Sequence, residues 1–380
     1  MAIDQHFPGT RGIVVAHIPD PNDHASEHER CTLREFARRI ARLRGDVAGG
    51  FFDPALGYDA PLYFVPSSTL TARQAQALGI AGLHDLFGGV VPHAFVATKA
   101  ISHPLVDADA RAVEGWSRKL GASIADAVLP GYTVFAREDA LAAGRRLLAA
   151  GPLRLKPVRA SGGRGQSVVR REEELRAALD AMDRDEIERH GLVLEGDLEE
   201  ESTFSVGQVQ VGDLVATYYG FQRLTPNNEG HQVFGGSDLT VARGGFDALL
   251  ACNPAPKIRH AIEQARRYDA AVRACFPGFY ASRSNYDILL GRDAAGTTRS
   301  AVLEQSWRAG GATGPEIAAL ECFRAEPDRR LVRASCYEVF GDSPEPPARA
   351  TVYYRGDDPH MGRVTKYTIV RQDDDARQHH

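Results

Sequence analysis

The chain has 380 residues, 43% of them hydrophobic and 25% charged, with a formal net charge of −5. That length supports two or three compact units sharing a continuous core, and the acidic balance argues against a nucleic-acid binder without excluding a local basic cleft. No apolar run approaches the roughly 20 residues of a membrane span, and the opening Met1-Ala2-Ile3-Asp4-Gln5-His6 lacks the basic start and apolar stretch of a signal peptide.

The expectation is therefore a cytoplasmic protein with no membrane or nucleic-acid partner. Cys31, Cys252, Cys275, Cys322 and Cys336 lie far apart and form no C-x-x-C pair, which suggests neither a disulfide framework nor a zinc site. Only five of the 45 basic residues are lysines (Lys99, Lys119, Lys156, Lys257 and Lys366); the other 40 are arginines. Where arginine serves for generic positive charge, a surviving lysine is a candidate for a role that needs a compact ammonium.

In chain order, the apolar run 12–17 has strand length and is followed by a Pro/Asn/Asp turn cluster. Leu33, Phe36, Ala37, Ile40 and Leu43 recur at helical spacing before Gly45. A strand at 61–66, a helix at 71–78 and an apolar stretch around 90–96 complete a small α/β layer with a parallel sheet, placed at 1–100. A helical pattern covers 107–128 and ends at Leu129-Pro130-Gly131. A strand at 132–135, a helix at 137–149, strands at 153–157 and 167–169 and a helix at 172–182 then form a unit closed by a charged turn at 183–190. The strand 192–195 follows. The stretch 203–240 reads mostly as strand, with Gly212-Asp213 as a hairpin turn. A long amphipathic helix occupies 257–275. Strands at 286–290 and 300–304 flank a polar turn, 331–372 alternates like antiparallel strands, and 373–380 is a polar tail.

Two segments carry chemistry. The first is the run Ser161-Gly162-Gly163-Arg164-Gly165 between two strands. Glycines let a backbone approach a phosphate and turn successive N–H groups toward it. The run is neither a Walker loop nor a dinucleotide fingerprint, because a strand and not a helix follows. Lys156, on the preceding strand, is placed to reach a phosphate as a point charge. By itself such a run more often marks an ordinary hairpin turn.

The second segment pairs Asp287 with Glu304 on neighbouring antiparallel strands. Converging carboxylates suit a hard, oxygen-seeking ion such as Mg²⁺ that also bridges phosphates, although two surface acids at strand ends give the same pattern. Arg308 follows four residues after Glu304, positioned to hold a phosphate oxygen. The glycines of Gly310-Gly311-Ala312-Thr313-Gly314 allow a close approach to the same place.

These segments, in this order, resemble the ATP-grasp superfamily, including biotin-carboxylase-like and carboxylate–amine ligases. The glycine run is similar to the superfamily's lysine-led G-G-x-G loop, with Lys156 on its phosphate-binding lysine and Ser161 to Gly165 over the phosphates. LVLEGDLEEESTFSV resembles the hinge strand: Glu195 falls on its first acidic position, Leu198 on the adenine linker, and Glu201 on the ribose position, with Glu200 a near rival. The segment from Asn285 to Gly311 is similar to the metal segment, with Asp287, Glu304 and Arg308 on matching positions. Its metal-binding asparagine is Ser306 here, so Gln305 is a candidate to compensate. An earlier lysine on the α-phosphate corresponds to either Lys99 or Lys119.

The resemblance covers about residues 95–320 and implies an α/β protein with α+β lobes: an ATP-grasp fold preceded by the small parallel-sheet domain. The expected units are 1–100, a first lobe at 101–190, a second lobe at 191–330 and C-terminal strands with the tail at 331–380. It further implies ATP and Mg²⁺ (or Mn²⁺) as cofactors, and a ligase that activates a small-molecule carboxylate as an acyl phosphate for attack by an amine or thiol. Lys156 and Arg308 would act on the transferring phosphoryl group. His231 is a candidate on the substrate side, and a homodimer stays open. Two other readings remain: a nucleotide-binding protein without ligase chemistry, suggested by Ser306, and an ATP-dependent phosphotransferase.

Overall fold

The computed structural model describes residues 11–20, 25–160, 165–342 and 345–371, the side chains of Glu200 and Glu201 excepted. The chain opens with β1 (Ile13–His17) and α1 (Glu27–Arg44). The helix starts where the amide and hydroxyl of Ser26 both reach the Glu29 carboxylate, and stops at Gly45, whose φ of 77° suits a residue without a side chain. Its apolar stripe is buried, as the helical spacing predicts. β2 (Val47–Phe51) and β3 (Leu62–Pro66) flank β1 in a parallel sheet of order β2-β1-β3. β2 carries no alternation in the sequence because its residues are largely exposed. Its Gly49 is required by contact, since a Cβ there would sit 2.5 Å from Ile13 Cγ2. The following β4 (Leu70–Thr71), α2 (Ala72–Ala77) and β5 (Gly89–Val91) build a second small sheet instead of extending the first.

The helix expected over 107–128 is replaced by turns that contain only α3 (Leu120–Ser123). Leu120, Ile124 and Ala127 are buried at helical spacing, but the backbone turns before them and a glycine inside α3 serves a close contact. Gly115 takes φ 80°, and Gly121 packs so closely on Pro104 that a Cβ would lie 2.8 Å from it. A four-stranded antiparallel sheet of order β6-β9-β7-β8 comes next. It is built from β6 (Gly131–Val134), β7 (Leu153–Pro157), β8 (Ser167–Val169) and β9 (Leu192–Gly196), with α4 (Arg137–Leu148), α5 (Glu172–Asp180) and α6 (Arg184–His190) between them. α6 replaces the charged turn expected at 183–190. Only Ile187 in it is buried, so no apolar stripe announces it; Asp183 caps it through the Asp185 amide.

The remaining strands form one eight-stranded antiparallel sheet of order β15-β14-β10-β11-β12-β16-β18-β17. These are β10 (Glu199–Val211), β11 (Leu214–Pro226) and β12 (Gln232–Arg243), then β14 (Arg283–Arg292) and β15 (Thr298–Ser306), then β16 (Leu331–Phe340), β17 (Thr351–Asp358) and β18 (Gly362–Val370). Gly212, at φ 60°, turns the β10–β11 hairpin as its sequence predicts. Between strands lie α7 (Phe246–Ala251), α8 (Pro256–Cys275), β13 (Tyr280–Ala281), which pairs with β5, and α9 (Thr313–Ala325). The strands of the 331–380 stretch thus continue the sheet of the 191–330 stretch.

One apolar core runs from Val14, Phe36 and Tyr63 through Val209 and Tyr218 to Ile317, Leu320 and Ala334, joining the N-terminal layer to the large sheet through α1 and α9. A separate core fills the four-stranded sheet around Phe135, Leu155, Leu175 and Leu194. Among the described residues, no helix is long and apolar enough to cross a membrane.

Candidate active site

The four-stranded sheet buries a charged pair. β7 and β9 are antiparallel, with Arg154 opposite Glu195 and Lys156 opposite Val193, so Lys156 and Glu195 share a face as diagonal neighbours. Lys156 Nζ donates to Glu195 Oε1 at 2.6 Å, and the other carboxylate oxygen meets His103 Nε2 at 2.9 Å. All three side chains are buried. Burial opposes the charge on Glu195, but Lys156 and His103 outweigh it and hold the carboxyl down at about 2. Gly131 makes room for the imidazole: a Cβ there would lie 2.7 Å from His103 Nδ1.

Lys99 opens a short 3-10 turn (Lys99–Ser102) that is capped by Thr98. Its buried ammonium lies 2.6 Å from the Ala160 carbonyl, at the entrance to the glycine run, and 2.9 Å from Glu304 Oε2. One lysine therefore spans the two segments that carried the sequence argument. Lys119 makes none of these contacts: it is exposed at the start of α3, because the turn-rich stretch before it does not form the expected helix. Ser161, Gly162, Gly163 and Arg164 lie outside the described residues; Gly165 has φ 67°. Leu198 packs with Leu129, Leu289 and Ala301. Glu201 sits at a register irregularity in β10, and its side chain lies outside the described residues.

At the edge of the large sheet, Asp287 on β14 stands opposite Glu304 on β15. Asp287 Oδ1 accepts from Ser205 at 3.1 Å and Gln222 at 3.0 Å, and one end of the Asn285 amide lies 3.1 Å from it. Burial and then the charge of Glu304 push the Asp287 carboxyl up to about 6, against the hydrogen bond from Ser205. No cluster of three or more His, Cys, Asp or Glu side chains suited to a metal occurs among the described residues. Mg²⁺ held partly by phosphates needs only one or two carboxylates, and the opposed oxygens of Asp287 and Glu304 fit that requirement.

Ser306 does not fit as readily. Its hydroxyl and carbonyl oxygens accept from Arg283 Nη1 at 3.4 and 3.3 Å. Gln305 is not a substitute. It projects to the opposite side of β15, donates to the Val96 and Thr98 carbonyls and accepts from Tyr268.

Beyond the acidic edge lies a cavity of about 440 Å³, between α1, the turn after β3, the loop before α9, and β16 to β18. Arg308 lines it together with Arg30, Ser67, Tyr337, Tyr367 and Lys366. Lys366 is paired with Glu338 at 3.0 Å. The only hydrogen bond from the Arg308 guanidinium among the described residues goes to the Ala309 carbonyl, at 2.8 Å. Burial and then Arg283 lower its pKa, against the charges of Glu304, Asp287 and Glu29. Below this loop, Arg283 and Glu316 form a fully buried pair at 2.8 Å, and Arg283 also donates to the Arg308 carbonyl at 2.7 Å. His231 is far more exposed than these groups: it sits at the β11–β12 turn, 75% exposed, beside Glu229.

The sequence reading missed His103, Asn285, and the Arg283–Glu316 pair. Asn285 carried a usable signal, since it lies two residues from Asp287 and so shares its face of β14. His103 carried none, because its partner arrives from a distant strand.

A family model described as "Protein of unknown function (DUF3182)" matches residues 14–368. No curated protein matches the sequence. Among solved structures, N5-carboxyaminoimidazole synthetase from Staphylococcus aureus is similar at a TM-score of 0.57 and 12% identity, over 97% of this chain and 95% of that one. The same enzyme complexed with ADP gives 0.54 at 13%, over 96% and 95%. Phosphoribosylamine–glycine ligase from Thermotoga maritima gives 0.54 at 15%, over 97% and 95%. At such identities the likeness is one of fold, and that fold is ATP-grasp.

Proposed function

This chain belongs to the DUF3182 family, and we propose that it is an ATP- and Mg²⁺-dependent ligase that joins a small-molecule carboxylate to an amine or thiol. The observation that carries the reading is Lys99, whose ammonium links the glycine-run entrance at Ala160 to the acidic edge at Glu304. A nucleotide lying along that line would place its phosphates between Lys99, Lys156 and the two carboxylates. Its reactive end would point at Arg308 and the cavity.

In this reading Lys156 and Lys99 hold the phosphates as point charges, and Glu195, itself bonded to His103, orients Lys156. Asp287 and Glu304 would hold Mg²⁺, which when bound would neutralise charge on the phosphate oxygens. A substrate carboxylate oxygen attacks the γ-phosphorus and ADP leaves. The amine or thiol then attacks the acyl carbon and phosphate leaves. Arg308, which has no carboxylate partner among the described residues, would steady the anionic phosphoryl group in both steps. The cavity volume falls within the range of small-molecule sites, which run from roughly 300 to 1,000 Å³.

The test is ADP release from Mg²⁺-ATP with a panel of carboxylates, each with and without amines or thiols. Turnover that requires both partners supports the ligase. Tight Mg²⁺-ATP binding with no acceptor raising ADP release would sink it in favour of a nucleotide-binding protein, the reading that the engaged hydroxyl of Ser306 favours. A phosphorylated product that accumulates without a nucleophile would point to a phosphotransferase.

A further inference from the structure

We infer that Asn285 supplies a third protein oxygen to the cation site, an inference that rests on reading Asp287 and Glu304 as its ligands. Tyr218 has one hydroxyl proton and faces two acceptor positions, Glu316 Oε1 at 2.5 Å and the Asn285 amide at 2.8 Å. Glu316 is wholly buried and paired with Arg283, so it is an anion, and the shorter charge-assisted bond takes the proton. Toward Asn285 the tyrosine oxygen is then an acceptor, so the amide end facing it must be the NH₂ group. The two ends of an amide differ only by a half-turn, and the hydrogen-bond network decides between them.

That half-turn brings the Asn285 carbonyl oxygen to the position 3.1 Å from Asp287 Oδ1. The opposite orientation donates to Asp287 but leaves two bare oxygens 2.8 Å apart at Tyr218, inside the core. The network is one hydrogen short either way. Only the first orientation moves the shortage next to Asp287 and Glu304, where a divalent cation would fill it.

The rest of the structure agrees. Asn285 is 8% exposed and shares the Asp287 face of β14. Its backbone partner across the strands is Ser306, whose own hydroxyl is held by Arg283. Gly207 keeps the arrangement possible, because a Cβ there would lie 2.3 Å from the Tyr218 hydroxyl. The amide oxygen that Ser306 lacks thus arrives from the neighbouring strand.

The test is Mn²⁺ binding, read by electron paramagnetic resonance on the full chain saturated with a non-hydrolysable ATP analogue. Asn285→Leu should weaken Mn²⁺ binding by about tenfold or more, a loss of the size that site-supporting residues cause, while Ser306→Ala stays within about twofold. Unchanged Mn²⁺ affinity in a folded Asn285→Leu protein overturns the inference. Should that variant not fold, anomalous diffraction from Mn²⁺-soaked crystals of the unsubstituted protein decides. Mn²⁺ bonded to the Asn285 amide oxygen supports the assignment. Mn²⁺ on Asp287 and Glu304 with the amide out of reach overturns it and leaves the acidic edge intact, and no Mn²⁺ at the edge overturns both.

Discussion

Lys99 Nζ stands 2.9 Å from Glu304 Oε2, and the same ammonium lies 2.6 Å from the Ala160 carbonyl. Neither partner is near Lys99 in sequence, so one side chain bridges the edge of the large sheet and the chain leaving β7. Lys99→Ala should weaken ATP binding by about tenfold or more, since a charge-assisted hydrogen bond contributes roughly 1.5–3 kcal/mol. Lys119→Ala should leave the affinity within about twofold. Isothermal calorimetry separates them, and equal effects of the two substitutions would remove Lys99 from the nucleotide site. Glu304→Ala, by contrast, should lower turnover more than nucleotide affinity.

Lys156 and Glu195 form a buried ion pair, and the proposed function gives the same pair a part in nucleotide binding. Removing one partner of a buried ion pair costs about 3–5 kcal/mol because the other is left uncompensated. Lys156→Ala should therefore weaken ATP binding and lower the melting temperature together. Against the opposing effect of burial, Lys156 and His103 hold the Glu195 carboxyl at about 2, below its ordinary 4.5. Its depressed pKa contributes stability that is present above about 4.5 and is lost as pH falls toward 2. In Glu195→Gln, the decline in melting temperature over that window should be shallower. An unchanged acid limb would mean that the pair does not set it.

Several elements and much of the site were legible because they rest on local rules. The α1 stripe, the Gly212 turn and the β14–β15 carboxylates each follow from spacing. Of the five lysines, Lys99 and Lys156 are buried in contact with Ala160 and Glu195 and Lys366 lines the cavity. What escaped is nonlocal. α9 is buried on nearly every side, so it shows no amphipathic period. Arg283 and Glu316 are paired only once the sheet and α9 pack. The choice between Lys99 and Lys119 depended on a backbone path that turns at Gly115, where φ is 80°, and forms only the short α3.

His28 gives a second, separate pH signature. It is buried on α1, where its amide donates to Asp358 Oδ2 and its ring meets Tyr354 edge-on. Burial, then Lys366, lower its pKa from 6.5 to about 4, while Glu29 and Asp358 oppose the shift. The folded protein keeps it neutral where the unfolded chain takes up a proton. Stability should fall as pH drops from 6.5 to 4, above the window of Glu195. His28→Gln should flatten that part of the curve. An imidazole titrating near 6.5 by NMR in the native protein would overturn the assignment.

Arg308 is the group whose loss should separate binding from chemistry. It lines the cavity, has no carboxylate partner among the described residues, and its carbonyl is fixed by Arg283 at 2.7 Å. An interaction made chiefly with charge that develops during phosphoryl transfer is worth about 10²–10³ in kcat. Arg308→Ala should therefore lower kcat by about that factor while ATP affinity stays within about twofold. Arg308→Lys should recover only part of the loss, because an ammonium lacks the planar fork that meets two oxygens at once. The readout is steady-state ADP release beside a calorimetric Kd for ATP. A Kd that rises in step with the fall in kcat would make Arg308 a nucleotide anchor and not a group acting on the transferred phosphoryl.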